Sequence, residues 1–287
     1  MLRQLIVNAD DFGVTAGGSR GIIKAHNEGI VTSTSVMINM PAAAEAVEMA
    51  QKEAPSLGLG LHLNLTAGPP VAPPEDIPDL LTPEGTFPNK HAVIARLPTL
   101  DIAQVERELR AQVEHFIEVA GHAPDHLDSH HHVTYLHPGV AEVMFGLAHE
   151  LGIPIRNPLP GDPETAATEL MRLGVARSEM EALGLVENVE RLTDDLPVSM
   201  PDHFISEFFG ERVTLGDLLN RLMDVEEGVT ELMCHPGEVD DALRSLSSYT
   251  DPREAELAAL THPSAREVIN SRFIQLITFA DLGASSG

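Results

Sequence analysis

Tryptophan is absent from the 287 residues, tyrosine occurs twice, cysteine once, and 18 basic residues face 44 acidic ones. Each shortage excludes something. With a single thiol, Cys234, no intramolecular disulfide framework can form, which agrees with a reducing compartment. A formal net charge of −26 argues against nucleic acid, because phosphate backbones are held by clustered Lys and Arg. It also disfavours a polyanionic substrate unless positive charge gathers locally; a neutral or lightly charged small molecule suits better. So few aromatics leave little material for stacking, and nothing in the sequence reads as a sugar platform. No apolar run nears the roughly 20 residues that a membrane span needs. Leu5-Ile6-Val7 runs into Asp10 and Asp11 with no small-residue cleavage site, so no signal peptide is expected. These absences predict a cytoplasmic protein, away from membranes, with enough chain to bury a full core.

What is present is an alternation of short apolar runs with amphipathic stretches. Leu5–Val7, Ser33–Asn39 and Leu57–Leu65 read as strands, separated by helices over about Ser19–Asn27 and Ala42–Ala54. The clearest helix spans Asp101–Ala120, whose apolar positions keep a 3–4 spacing until Gly121 ends it. His126–Asp128 reads as a short strand, and Pro138 opens a helix to Leu151 that Gly152 closes. Further strands are predicted at Ile153–Ile155, Pro201–Ser206, Val229–Cys234 and Phe273–Thr278. Strand–helix alternation of this length points to an α/β fold, either a (β/α) barrel or an open doubly wound sheet. Residues 68–88 are proline-rich and read as a long loop, and 157–200 read as an insertion or a lid. With no repeat and no linker, residues 1–287 are expected to form one domain.

Four polar clusters each sit in or just after an apolar run: Asp10-Asp11, His62, Asp128-Ser129-His130-His131-His132, and His235-Pro236-Gly237. In parallel α/β folds the carboxyl ends of strands build the ligand site, so groups far apart in sequence can converge there. Individually each cluster has an ordinary explanation. One carboxylate could cap the following helix, His62 could be a hydrogen-bonded core residue, and His235 could be a turn residue. Alternation would send His130 and His132 to one face and His131 to the other. Jointly the set has the composition of a hydrolytic metal site: two imidazoles and a carboxylate, with a further carboxylate as base and a histidine as acid.

These segments resemble the YdjC-like carbohydrate deacetylases. The resemblance lies in Val7-Asn8-Ala9-Asp10-Asp11-Phe12-Gly13, Gly60-Leu61-His62-Leu63-Asn64-Leu65-Thr66, His126-Leu127-Asp128-Ser129-His130-His131-His132-Val133 and Cys234-His235-Pro236-Gly237, in that order, with Gly29–Ser35 between. It implies a (β/α) barrel, TIM-barrel-like and irregular, of the polysaccharide-deacetylase kind. It implies Asp11, His62 and His130 as metal ligands, Asp10 as general base and His235 as general acid. The implied reaction is metal-assisted hydrolysis of the acetamide of an N-acetylated sugar, releasing acetate. The resemblance further implies magnesium, although two imidazoles and one carboxylate physically suit zinc or a similar transition ion better, and it implies a homodimer. One departure is visible: Thr134 stands where the family commonly has another histidine, and His137 follows. Arg253, with Glu254, also resembles a family feature, placed to meet a polar substrate group or to form a salt bridge at a helix start. Two other readings are a metal-dependent phosphoesterase and a sugar-binding protein without catalysis. The first lacks Arg or Lys beside the motifs; the second sits poorly with Asp10, Asp11 and His235 all being present.

Overall fold

A computed structural model of the chain describes residues 2–157, 191–192, 194–210 and 213–284. Most of the stretch 157–200, expected as an insertion or lid, therefore lies outside the described residues. The chain has the expected α/β fold: parallel strands joined through helices. It forms two compact units, Met1–Gly60 with Pro201–Gly287, and Leu61–Met200. Among the described residues no helix is long and apolar enough to cross a membrane.

The first unit is organised around β1 (Arg3–Phe12), whose Leu5, Ile6 and Val7 are fully buried. Buried on both faces, such a strand reads as a continuous apolar run rather than an alternating one. Three parallel partners flank it: β2 (Ser33–Val36), β6 (Gly228–Cys234) and β7 (Ile274–Leu276). β5 (His203–Ile205) adds to β6, and β3 (Gly58–Leu63) starts in this unit, where Gly58 N donates to Thr32 O. The helix Ala16–Asn27 follows β1 and starts at Thr15, whose hydroxyl accepts from Gly18 N. Ile6, Val229, Ile277 and Phe279 close one side of the core.

In the second unit the end of β3 pairs with β4 (Leu127–Ser129) in the register Leu61↔Leu127, His62↔Asp128 and Leu63↔Ser129. The predicted strand at Ile153–Ile155 is reduced to one bridge, Leu127↔Ile155. The long helix is Ile102–Ala120; Asp101 caps it by accepting from Ala103 N and Gln104 N, and Gly121 ends it at φ 77°. Pro138–Leu151 is helical as expected, with Gly152 at φ 65°. These two ends are the glycine-closed helices that the left-handed C-terminal cap requires. The proline-rich stretch 68–88 contains two short 3₁₀ turns, Pro74–Asp76 and Pro78–Leu80. Its backbone is anchored from below by Glu108, which accepts from Val71 N and Ala72 N.

Candidate active site

In the first unit the two adjacent carboxylates separate at a backbone irregularity. β1 is in register with β2 at Asn8↔Ser33 and Ala9↔Thr34, then slips before Phe12↔Val36, and Asp11 adopts φ 69°. A non-glycine residue in this left-handed region is strained, and bulges of this kind re-aim side chains beside functional sites. The irregularity is centred on Asp11, with Gly13 also at positive φ, 88°. The consequence is divergence of the carboxylates. Asp10 Oδ1 accepts from Asn8 Nδ2 at 2.9 Å and faces Ser35 Oγ at 3.5 Å. Asp11 Oδ2 accepts from Arg253 Nη2 at 2.6 Å, and both side chains are buried. Arg253 therefore contacts Asp11 rather than Glu254, which is exposed.

His235 arrives from β6. Ala9 is in register with Cys234, so the next residue on each strand, Asp10 and His235, stand level. His235 Nε2 lies 4.0 Å from Asp10 Oδ2, beyond hydrogen-bond range. The backbone N–H of His235 donates to Glu256 Oε2, and Tyr249 OH donates to Glu256 Oε1 at 2.6 Å. Glu256 is fully buried. Burial pushes its carboxyl up to about 8, against the downward pull of the Tyr249 and His235 hydrogen bonds and the Arg253 charge; Asp10 adds a smaller upward push. Burial also drives the Tyr249 hydroxyl well above its ordinary range, with the Glu256 charge acting the same way.

The second unit holds His62 and the histidine triplet His130–His132. Because His62 and Asp128 are register partners, their side chains share a face, and His62 Nδ1 meets Asp128 Oδ1 at 2.6 Å. The other Asp128 oxygen meets Arg156 Nη2 at 3.0 Å, and all three side chains are buried. Burial would raise the Asp128 carboxyl, but the His62 and Arg156 charges outweigh it and hold the group well below the usual carboxylate range. A histidine with Nδ1 tied to a carboxylate is oriented through Nε2, the arrangement seen behind metal-ligating imidazoles. His130 packs against His62 edge-on, with ring centroids 5.2 Å apart.

The histidine triplet does not alternate as a strand. His130–Leu136 is a 3₁₀ segment in which His131 and His132 both take φ 56°. This brings the His131 ring to 3.9 Å from that of His130 and its Nδ1 to 2.9 Å from Thr66 Oγ1. Thr134 is buried and its hydroxyl donates to Met144 Sδ, whereas His137 caps the helix Pro138–Leu151 through Nδ1, which accepts from Gly139 N.

The chain matches the YdjC-like protein family over residues 4–271. It belongs to the YdjC-like family. Among its relatives, a carbohydrate deacetylase of Brevibacillus brevis is 36% identical over 98% of this chain and 100% of its own length. A chitooligosaccharide deacetylase of Proteus mirabilis is 34% identical with the same coverage. A solved structure from Enterococcus faecalis, provisionally described as a cellobiose-phosphate cleavage protein, has a TM-score of 0.83 at 32% identity, covering 98% of this chain and 99% of that one.

For this YdjC-like chain, the structure pairs Asp10 with His235 in one unit and His62 with His130 in the other, while Asp11 is clamped by Arg253. Five residues around them carried no assigned role in the sequence reading: Asp128, Arg156, Tyr249, Glu256 and Ser35. Asp128 was part of a quoted cluster. Arg156 follows an apolar run, Ile153–Ile155, in the same way as the other polar clusters, and that position was the usable signal. Glu256 carries no such signal, because it sits on a helix, Asp251–Leu260, whose charged residues are not sorted by burial in the sequence.

Proposed function

We propose that this protein is a metal-dependent carbohydrate deacetylase that hydrolyses the acetamide of an N-acetylated sugar, a chito-oligosaccharide or related molecule, and releases acetate. The observation carrying this reading is the placement of a buried carboxylate, Asp10, level with a histidine, His235, 4.0 Å away at the end of the neighbouring strand. The names of the relatives over full length support the substrate class.

Asp11, His62 and His130 would hold the metal: one carboxylate and two imidazoles, the first two buried and the third partly exposed. That donor set fits a divalent ion, and the His62–Asp128 bond supplies the outer support such a ligand needs. Arg253 donates to Asp11 Oδ2 and so orients the carboxylate. Such an ion, when bound, acts as a Lewis acid toward the acetyl oxygen and the attacking water. Asp10, oriented by Asn8, accepts the proton of that water. His235 delivers a proton to the sugar nitrogen, without which the amine is a poor leaving group. Magnesium and a homodimer rest on the resemblance alone, whereas cytoplasmic residence and a single domain over residues 1–287 rest on the composition and organisation of the sequence.

The phosphoesterase reading is weaker for a stated reason. Among the described residues the two buried arginines, Arg156 and Arg253, are engaged by the carboxylates of Asp128 and Asp11. The acid–base assignment is tested by acetate release from His235→Ala. Loss of general acid catalysis lowers kcat by about 10²–10⁴, and unchanged turnover would contradict the role of His235.

A further inference from the structure

The sparse aromatics are not scattered. Phe208 is fully buried, whereas the adjacent Phe209 is 45% exposed, one of five large apolar side chains exposed to that degree or more among the described residues. Phe209 lies flat on Tyr249, with centroids 4.2 Å apart and planes at 11°, and edge-on to His235 at 5.3 Å. The Arg253 guanidinium, which holds Asp11, stands 5.5 Å from the centre of the same Tyr249 ring.

The ring is fixed where it stands. Gly210, at φ 74°, donates its N–H to Tyr249 OH at 3.1 Å. The same hydroxyl binds Glu256, which also receives the His235 N–H. On the other side, Arg221 Nη1 donates to Glu207 Oε2 at 2.9 Å, and Phe208 anchors the segment in the core. One hydrogen-bonded set thus positions both the exposed phenyl and the imidazole beside it.

We propose that Phe209 is a specificity-determining contact: its exposed surface takes the apolar C–H face of the pyranose whose acetamide lies at His235. The choice of ligand rests on the deacetylase reading above. Three features favour a sugar ring. A pyranose is amphipathic, with an apolar face to match a phenyl and hydroxyls to stay solvated. It is neutral, so a chain of net charge −26 does not repel it. A sugar nitrogen protonated by His235 also places its ring within one ring-width of Phe209. A pre-positioned aromatic loses little conformational freedom on contact, so its surface is realised as affinity.

The test separates binding from turnover. Calorimetric titration with N,N′-diacetylchitobiose and with its deacetylated disaccharide is run on wild type, Phe209→Ala and Phe209→Trp, beside acetate-release kinetics and thermal unfolding. The proposal expects Phe209→Ala to raise both Kd and KM by about tenfold. It expects kcat and the unfolding midpoint to be unchanged, and Phe209→Trp to restore affinity. An unchanged Kd in Phe209→Ala overturns it, as does a fall in kcat at constant KM, which would mean that the ring only props His235. Wild type that binds neither disaccharide overturns it too. Phe209-dependent binding with no acetate release from wild type would sink the deacetylase reading but leave the contact standing. Acetate release with a Phe209-independent KM would do the reverse.

Discussion

Asp128 offers the sharpest energetic prediction, because it accepts from one buried group and neutralises another. Replacing it with Asn keeps the shape and lets the side-chain carbonyl still accept from His62 Nδ1. What it removes is the negative charge that Arg156 faces at 3.0 Å with neither side chain accessible to solvent. Breaking a buried pair from one side costs about 3–5 kcal/mol, since the remaining charge stays desolvated. At about 2–4 °C per kcal/mol for chains approaching this size, the midpoint of thermal unfolding should fall by roughly 10 °C. The pairing with Arg156→Met distinguishes this cause from simple misfit. The double variant removes both charges, so it should recover most of the loss that Asp128→Asn alone produces. The pH dependence has a definite sign. Asp128 titrates below its ordinary value in the folded protein, so its contribution is complete above the ordinary carboxylate range and is lost as pH falls through its depressed pKa. Differential scanning calorimetry of the four proteins settles the matter. A loss under about 1 kcal/mol, or a double variant no better than Asp128→Asn, would refute the buried-pair argument.

Glu256 has the opposite linkage: its folded pKa of about 8 lies above the ordinary 4.5, so stability should decline as pH rises through that window. Glu256→Gln should flatten this decline, read as urea midpoints at acidic and alkaline pH; an unchanged slope would remove Glu256 as its source. Gly21, in the helix Ala16–Asn27, faces the backbone of Gly237 and Glu238, and a Cβ there would approach Gly237 Cα to 2.5 Å. Gly21→Ala should therefore cost about 1–3 kcal/mol and reduce turnover by shifting the segment after His235; wild-type stability and activity together would show that the segment yields freely.

Much of the fold was legible because buried parallel strands concentrate apolar residues. Leu5–Val7, Leu59–Leu63 and Leu232–Cys234 stand out against an acidic background for that reason. Helix ends were legible where chemistry is local: Asp101 as cap, Gly121 and Gly152 as left-handed closures. The helices Lys90–Arg96 and Leu215–Met223 were passed over, and only the start of Asp251–Leu260 was noted. They are short, and Leu215–Met223 was missed despite the 3–4 spacing of Leu215, Leu218, Leu219 and Leu222. The site divides along the same line. Its polar residues announced themselves by following apolar strands, which is why Asp10, Asp11, His62, His130 and His235 could be singled out. Their partners could not be named. Arg253 meets Asp11 across 242 residues, and no local pattern encodes that pairing. The left-handed backbone of His131 and His132 likewise defeats an argument from strand alternation. Composition was silent on placement. Scarce aromatics left little material for stacking, and composition gave no sign that Phe209 and Tyr249 are gathered beside His235.

The central claim is metal-dependent deacetylation, and acetate release from N,N′-diacetylchitobiose tests it most directly. The protein is assayed as purified, after treatment with a chelator, and after separate addition of magnesium and zinc. The account predicts acetate release that the chelator abolishes and one or both ions restore. Release that survives complete chelation would contradict the metal assignment of Asp11, His62 and His130. Absence of release from diacetylchitobiose and from monomeric and phosphorylated N-acetyl sugars, with either ion, would contradict deacetylation itself.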